Sequence, residues 1–223
     1  MFRYSKFLIL LLLIASTSVW AQDQDDDYTI ENTWGINKNT RSGLIGGFVF
    51  KHGVKNSSGS FTTYGLELID VRHPAELKAI SGSGNSYIIG KINHLFAIRG
   101  QYGRDFLLFK KAPQQGVQIN LVLAAGPSIG LESPYKVETD PGTNAVIGKG
   151  FIFQGIFESK VVIGANIKTS LSFEFGTLKS SVSGFEAGFL LDAYSRKINM
   201  VQGAENYAVW PTAFIVLFYG SRK

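Results

Sequence analysis

Between Ile163 and Gly176 the residues alternate without a break. Ile163, Ala165, Ile167, Thr169, Leu171, Phe173 and Phe175 fall on one face, and Gly164, Asn166, Lys168, Ser170, Ser172, Glu174 and Gly176 on the other. A β-strand sends successive side chains to opposite sides, so this stretch predicts a strand with one greasy wall and one polar, charged wall. Alternation sustained over about ten residues is the mark of a strand that crosses a membrane. It is the constraint from which the rest of the chain can be read.

Other segments repeat the pattern. Ile119, Leu121, Leu123 and Ala125 oppose Gln118 and Asn120. Phe96, Ile98, Tyr102, Phe106 and Leu108 oppose Arg99, Gln101, Gly103 and Asp105, with Arg104 breaking the apolar face. Phe185, Ala187, Phe189, Leu191 and Ala193 oppose Glu186, Gly188 and Asp192. Shorter versions place Phe48 and Phe50 against Gly47 and Lys51, and Tyr64, Leu66 and Leu68 against Gly65 and Glu67. The last segment, near Trp210 to Tyr219, is apolar on both faces, and the pattern does not orient it.

Connections alternate in length. Short turns are expected at 55–60, 112–116 and 177–183, and long ones at 73–85, 133–150 and 199–206. Outer-membrane barrels put short turns on the periplasmic side and long loops outside. Seven clear strands then need one more to bring the chain up, and Thr29–Asn37, around Trp34, supplies it, with a tight outer turn at Lys38–Asn39. The resulting fold class is all-β: a single antiparallel up-and-down transmembrane β-barrel of about eight strands. The run Phe151–Phe157 (FIFQGIF) is neither a clean strand nor a plain loop, and either extends a strand or folds over the barrel mouth.

The N-terminus explains how such a barrel would reach a membrane. Arg3 and Lys6 precede an apolar run from Phe7 to Ala15, and Val19-Trp20-Ala21 follows. Basic region, short greasy core and small residues at −3 and −1 make a secretory signal cleaved between Ala21 and Gln22. The run is too short for a membrane helix of about 20 residues, and no later run approaches that length. Lipid admits only helices and closed barrels, because every backbone group must be satisfied internally. The expected organisation is a signal peptide at 1–21, an acidic mobile tail at 22–32 carrying Asp23, Asp25, Asp26 and Asp27, and a barrel at 33–223.

Composition narrows the chemistry. The chain has no cysteine, which excludes disulfides, thiolate metal sites, cysteine nucleophiles and a lipid-carrying cysteine. Charged residues are 17% of the chain, against about 25% in an ordinary soluble domain. A formal charge of +5, scattered along an exported chain, does not point to nucleic acid. A soluble β-sandwich or lipocalin-like barrel also alternates. Apolar faces nearly free of charge, and aromatics near strand ends (Trp34, Tyr64, Tyr87, Tyr194, Trp210, Tyr219), favour lipid.

The polar faces then line a lumen, which in an eight-stranded barrel is only wide enough for side chains. A network of lumen charges is expected from Glu67, Arg99, Asp105, Lys168, Glu174, Glu186 and Asp192, joined by the inward Lys51, Gln101 and Asn120. Mixed signs in so narrow a space must pair. A turn centred on residue 180 would set Glu174 opposite Glu186, and paired carboxylates can do acid–base work. His73 and His94 flank one long loop that also holds Ser81, Ser83 and Ser86. They are weak catalytic candidates at the outer rim, while His52 falls at the other end of the barrel. The Ser-Gly-Ser-Gly-Asn run at 81–85 lacks the lysine of a phosphate loop, and no ligand spacing calls for a metal or cofactor.

The stretches TWGINKNTRSGLIGGFVFKHG (33–53), YGLELIDVRHP (64–74), the run from Gly84 to Tyr135, GFEAGFLLDAY (184–194) and FIVLFYGSRK (214–223) cover most of the mature chain. They resemble a family of small, functionally uncharacterised outer-membrane β-barrel proteins of Bacteroidetes-type bacteria. The resemblance implies outer-membrane residence and a single barrel, and transfers no catalytic residue. One departure from the general outer-membrane pattern is that the aromatic pair Phe218-Tyr219 stands four residues before the end. The expected role is structural or interactive in the envelope, with outer-membrane lipid and other envelope proteins as partners. The small residues Ala124, Ala125 and Gly126 are considered as a docking patch. The alternatives are a ligand-binding or transport barrel, which needs an unfilled lumen, and a rim enzyme acting on lipid or peptide.

Overall fold

The alternating segments become strands whose greasy faces turn outward. A computed structural model describes residues 28–56, 60–110, 116–175 and 180–223. The expected signal peptide with its expected Ala21–Gln22 cleavage site, the four aspartates of the expected tail and the centres of the three short turns lie outside the described residues.

Eight strands close an antiparallel barrel: β1 (Ile30–Asn39), β2 (Gly47–Lys55), β3 (Phe61–Val71), β6 (Asn93–Phe109), β7 (Gln118–Pro134), β10 (Lys160–Phe175), β11 (Ser181–Ile198) and β12 (Tyr207–Arg222). Each pairs with its neighbour in sequence, and β1 closes on β12 from Glu31↔Arg222 to Asn39↔Phe214. Two hairpins stand apart from the wall: β4 (Leu77–Ile80) with β5 (Ser86–Ile89), and β8 (Val137–Thr139) with β9 (Val146–Lys149). The second lies within the loop expected at 133–150, whereas the first runs past the loop expected at 73–85, with all of β5 beyond it.

Several details differ from the sequence reading. β1 begins at Ile30, inside the segment expected as tail, because its lower residues pair with β2 and β12. The first outer turn is not tight at Lys38–Asn39. β1 runs through Asn39, and residues 40–46 make the connection, with the Asn39 side chain accepting from the Arg41 amide. Phe151–Phe157 neither extends a strand nor covers the mouth. It makes turns and a short 3₁₀ segment at Ile156–Glu158, and Phe153 packs at 5.9 Å on Phe96, an outward residue of β6. The mouth is covered instead by the 199–206 loop. Its Met200 and Val201 are buried with Leu95, Ile198 and Trp210, and Met200 accepts hydrogen bonds from the Ile92 and Asn93 amides.

The wall's ladder is interrupted in several places, one of them in the middle of β6 and β7. Between β6 and β7 the pairing runs Arg99↔Ser128 and resumes at Tyr102↔Ala125. Pro127, with no N–H, sits in the gap opposite Gly100. A Cβ on Gly126 would meet the Gly100 carbonyl oxygen at 2.2 Å, so only glycine allows the strands to approach there. The Asn166 side-chain amide offers its two N–H donors to these carbonyls from inside. Asn166 Nδ2 lies 3.1 Å from the Gly126 and Pro127 oxygens and 3.3 Å from that of Gly100. A buried carbonyl without a donor would cost about 1–3 kcal/mol, which gives this inward asparagine a structural task.

Candidate functional site

The site with the densest chemistry is the lumen, and the two-residue period builds it. Inward positions of β2, β3, β6, β10 and β11 deliver Lys51, Glu67, Arg99, Asp105, Lys168, Glu186 and Asp192 to the interior. They form a chain of alternating sign. Arg99 donates from Nε to Asp192 Oδ1 at 3.0 Å, from Nη2 to Asp192 Oδ2 at 2.6 Å, and from Nη1 to Glu67 Oε2 at 3.1 Å. Lys168 bridges Glu67 at 3.0 Å and Glu186 at 2.9 Å. Lys51 continues to Asp105 at 2.8 Å, with Glu186 at 3.9 Å. Hydroxyls fill the remaining acceptors, Ser128 on Asp192 at 3.0 Å and Ser170 on Glu186 at 2.7 Å. Each buried carboxylate in the chain thus has a cation and each cation has a carboxylate, the condition under which such charges are tolerable away from bulk water.

Six of the seven residues expected in the network lie in this chain, together with Lys51. Glu174 does not. It sits lower, where Arg222 bridges it to Glu31 (Arg222–Glu31 2.7 Å) and Asn120 donates to it at 2.6 Å. The carboxylate pair expected between Glu174 and Glu186 is corrected. The hairpin centres one residue earlier than assumed, so Glu174 faces Gly184 and Glu186 faces Ser172. Arg222 and Glu31 are not marked by the sequence pattern, because β12 is apolar on both faces and Glu31 falls in the segment expected as tail. The even-numbered spacing of Thr212 and Arg222 with Trp210 was the available signal.

Little space remains among these side chains. A lumenal cavity lined by residues including Thr63, Gln101, Lys168 and Glu186 has a volume near 20 Å³, room for about one water. Above the charges, Ile69, Val71, Leu95, Tyr194 and Trp210 form an apolar plug under the 199–206 loop. Tyr194 and Trp210 therefore point inward and do not belong to an outer aromatic belt, and Tyr87 lies on the β4–β5 hairpin. Trp34, Tyr64, Tyr102 and Tyr219 do face outward; Trp34 packs on Phe50 at 4.3 Å and Tyr64 on Tyr102 at 5.5 Å.

The outer wall is almost charge-free. Ile36, Phe48, Leu66, Leu68, Leu123, Ile129, Ile163, Ile167, Phe189, Leu191, Ile215 and Leu217 are all exposed. Below Lys38 and Asp70 at the upper rim, Arg104 is the one acidic or basic side chain pointing outward from the wall among the described residues, close to the lower end of β6. Of the three small residues considered for docking, Ala125 shares the outward face, while Ala124 and Gly126 share the inward one.

The histidines do not meet. His73 is fixed over the mouth: its Nδ1 accepts from the Ala75 amide at 3.1 Å, its Nε2 donates to the Glu205 carbonyl at 3.0 Å, and its ring stacks on Tyr207. Both nitrogens are occupied, which leaves none for proton transfer. His94 lies on the outward side of β6, stacked on Phe96 and edge-on to Tyr135, with its Nδ1 buried and unpartnered. His52 bonds Asn32 at 2.7 Å near the lower rim. Ser81 and Ser83 donate to the Ile147 carbonyl and tie the two hairpins together. Tyr135, whose phenol burial holds above its usual range, accepts from the Ile88 amide at 3.0 Å and does the same.

Fold and site define a class: a closed eight-stranded barrel with a greasy wall, a charge-filled lumen and loops gathered at one end. No protein-family model matches the sequence, and no curated protein does. Among solved structures, the chain is similar to Ail, the attachment invasion locus protein of Yersinia pestis. The identity is 12%, covering 87% of this chain and 97% of that one, with a TM-score of 0.41. It is similar to Neisserial surface protein A at 12% identity, covering 88% and 97%, with a TM-score of 0.41. The N-terminal β-barrel domain of Pseudomonas aeruginosa OprF aligns at 9% identity over 88% and 98%, with a TM-score of 0.36. Likenesses at this level assign no activity.

Proposed function

We propose that the protein is a small barrel resident in the bacterial outer membrane, with a structural or interaction role in the envelope. The observation that carries this reading is the inversion of ordinary burial: apolar side chains cover the outer wall, and paired charges fill the interior. A wall of this kind is stable only against hydrocarbon. A lumen closed by ion pairs below and by an apolar plug above leaves the outer loops, not the interior, as the working surface. The partners are outer-membrane lipid and other envelope proteins reached by the two hairpins, with no role for nucleic acid. The Phe7–Ala15 segment serves export, with cleavage after Ala21.

The test is purification from outer membranes in mild detergent without crosslinking, followed by mass spectrometry of what accompanies the protein. Recovery in the outer-membrane fraction with stoichiometric envelope partners is the expected result. Recovery as a soluble periplasmic protein would overturn the reading.

A further inference from the structure

A second, smaller site lies outside the barrel, at the upper rim. A cavity of about 120 Å³ sits on the outward side of the β3 and β6 ends, roofed by the two hairpins. Four cations line it: Arg72, Lys78, Lys91 and Lys149. Two are already engaged, Lys91 with Glu76 at 2.7 Å and Arg72 with Asp70 at 3.5 Å. Lys78 and Lys149 have no salt bridge among the described residues. Two further lining residues hold buried polar atoms without partners, Nδ1 of His94 and Oδ1 of Asp70. The cavity is thus lined by two lysines without a salt bridge, and behind its wall lie these two unpartnered polar atoms, shut off from water. An anion satisfies the lysines, and a hydroxyl donor reaching into that wall beside the anion satisfies the Asp70 oxygen.

The surroundings say where such an anion comes from. Ile152 forms part of the cavity wall, Phe153 packs on Phe96, and Phe151 on Phe153 at 5.7 Å. Phe151, Phe153 and Phe157 are exposed, Phe157 fully. Phe96, Phe153 and Phe151 thus form an aromatic strip from the apolar wall to the cavity, beside its lining residue Ile152. Phosphate chemistry at the top and hydrocarbon chemistry below is the order of a lipid standing in the outer leaflet.

We propose that this cavity binds the phosphate of an anionic lipid headgroup that also carries a hydroxyl, with Lys78 and Lys149 on the phosphate, Asp70 on the hydroxyl, and the acyl chains along Phe96 and Phe153. The assignment rests on the membrane reading above. A bound lipid of this kind would fasten both hairpins to the bilayer and fix the orientation of the loops.

The test uses the whole mature protein in a neutral detergent, titrated with dilauroyl-phosphatidylglycerol and followed by native mass spectrometry. One phosphatidylglycerol should be retained at saturation, and dilauroyl-phosphatidylcholine, which lacks the hydroxyls and net charge, should be retained at least about tenfold more weakly, a difference equal to one charge-assisted hydrogen bond. The double variant Lys78→Ala/Lys149→Ala should lose phosphatidylglycerol by at least the same factor. Phe153→Ser should weaken the lipid while leaving competition by inorganic phosphate unchanged. Equal retention of the two lipids, or unchanged retention by the double-lysine variant, overturns the proposal. Inorganic phosphate binding with no effect of Phe153→Ser would make this a site for free phosphate and overturn the lipid assignment. A protein that stays folded and monodisperse with no detergent would instead overturn the membrane reading, a result distinct from failure of the site.

Discussion

Replacing Arg99 by methionine tests whether the lumen is held by its ion pairs. Arg99 is 2% exposed and makes three hydrogen bonds to two carboxylates. After truncation Glu67 keeps Lys168, but Asp192 keeps only the Ser128 hydroxyl. Breaking one partner out of a buried pair costs about 3–5 kcal/mol, mostly the penalty of the charge left behind. The expected loss in unfolding free energy is therefore about 3–5 kcal/mol. Adding Asp192→Leu removes the stranded charge, and replacing both members of a pair by apolar residues is often close to neutral. The double variant should recover at least about 2 kcal/mol as coupling energy. The assay is urea unfolding of protein refolded into lipid vesicles, followed by tryptophan emission. A single-variant loss below about 1 kcal/mol, with no coupling to Asp192, would mean the pair is screened by water and would refute the closed-lumen account.

Further outcomes follow from other residues. Ile167→Arg places a charge on the outer wall midway along β10 and should cost about 2–4 kcal/mol in the same vesicle assay if that wall meets lipid; a change below about 0.5 kcal/mol would contradict it. Asn166→Leu removes the donor that fills the ladder gap at Pro127 and should cost about 1–3 kcal/mol, with faster amide exchange in β6 and β7 near Gly100 and Gly126. Asp140 accepts from the Gly142 and Thr143 amides, which hold its carboxyl below the usual range. A depressed carboxylate contributes order above its unfolded pKa and loses it as pH falls through the folded one. Protection of those two amides should therefore be present at neutral pH, fade in acid below the ordinary carboxylate range, and be absent at every pH in Asp140→Ala.

The wall was the most legible part of this chain. Ile163–Phe175 and Phe185–Ala193 keep strict alternation because one side must meet hydrocarbon and the other a polar lumen, so a period of two survives in the sequence. The same parity delivered Lys51, Glu67, Arg99, Lys168, Glu186 and Asp192 to the interior. It could not say which charge meets which. That depends on stagger around the closed barrel, and a one-residue difference in a hairpin centre moved Glu174 away from Glu186 and toward Arg222. β12 is opaque because it buries Trp210 in the apolar plug and Phe214 and Val216 in a second apolar cluster with Val49 and Leu190, while Val209 and Ile215 face outward, so both faces are greasy. The rim cavity was invisible to periodicity. Arg72, Lys78, Lys91 and Lys149 come from four separate stretches that only the folding of two hairpins brings together.

The central claim is that β10 has one face in lipid and one in a closed interior. The absence of native cysteine makes it directly measurable, because each introduced cysteine is unique. Single cysteines at each position from 163 to 173, in protein reconstituted into vesicles, would be exposed to a water-soluble maleimide and to a lipid-borne one. The account predicts that odd-numbered positions react only with the lipid-borne reagent and that even-numbered positions react with neither. Reaction of the odd positions with the water-soluble reagent would mean a soluble barrel, and reaction of the even positions would mean an open pore; either result would contradict the account.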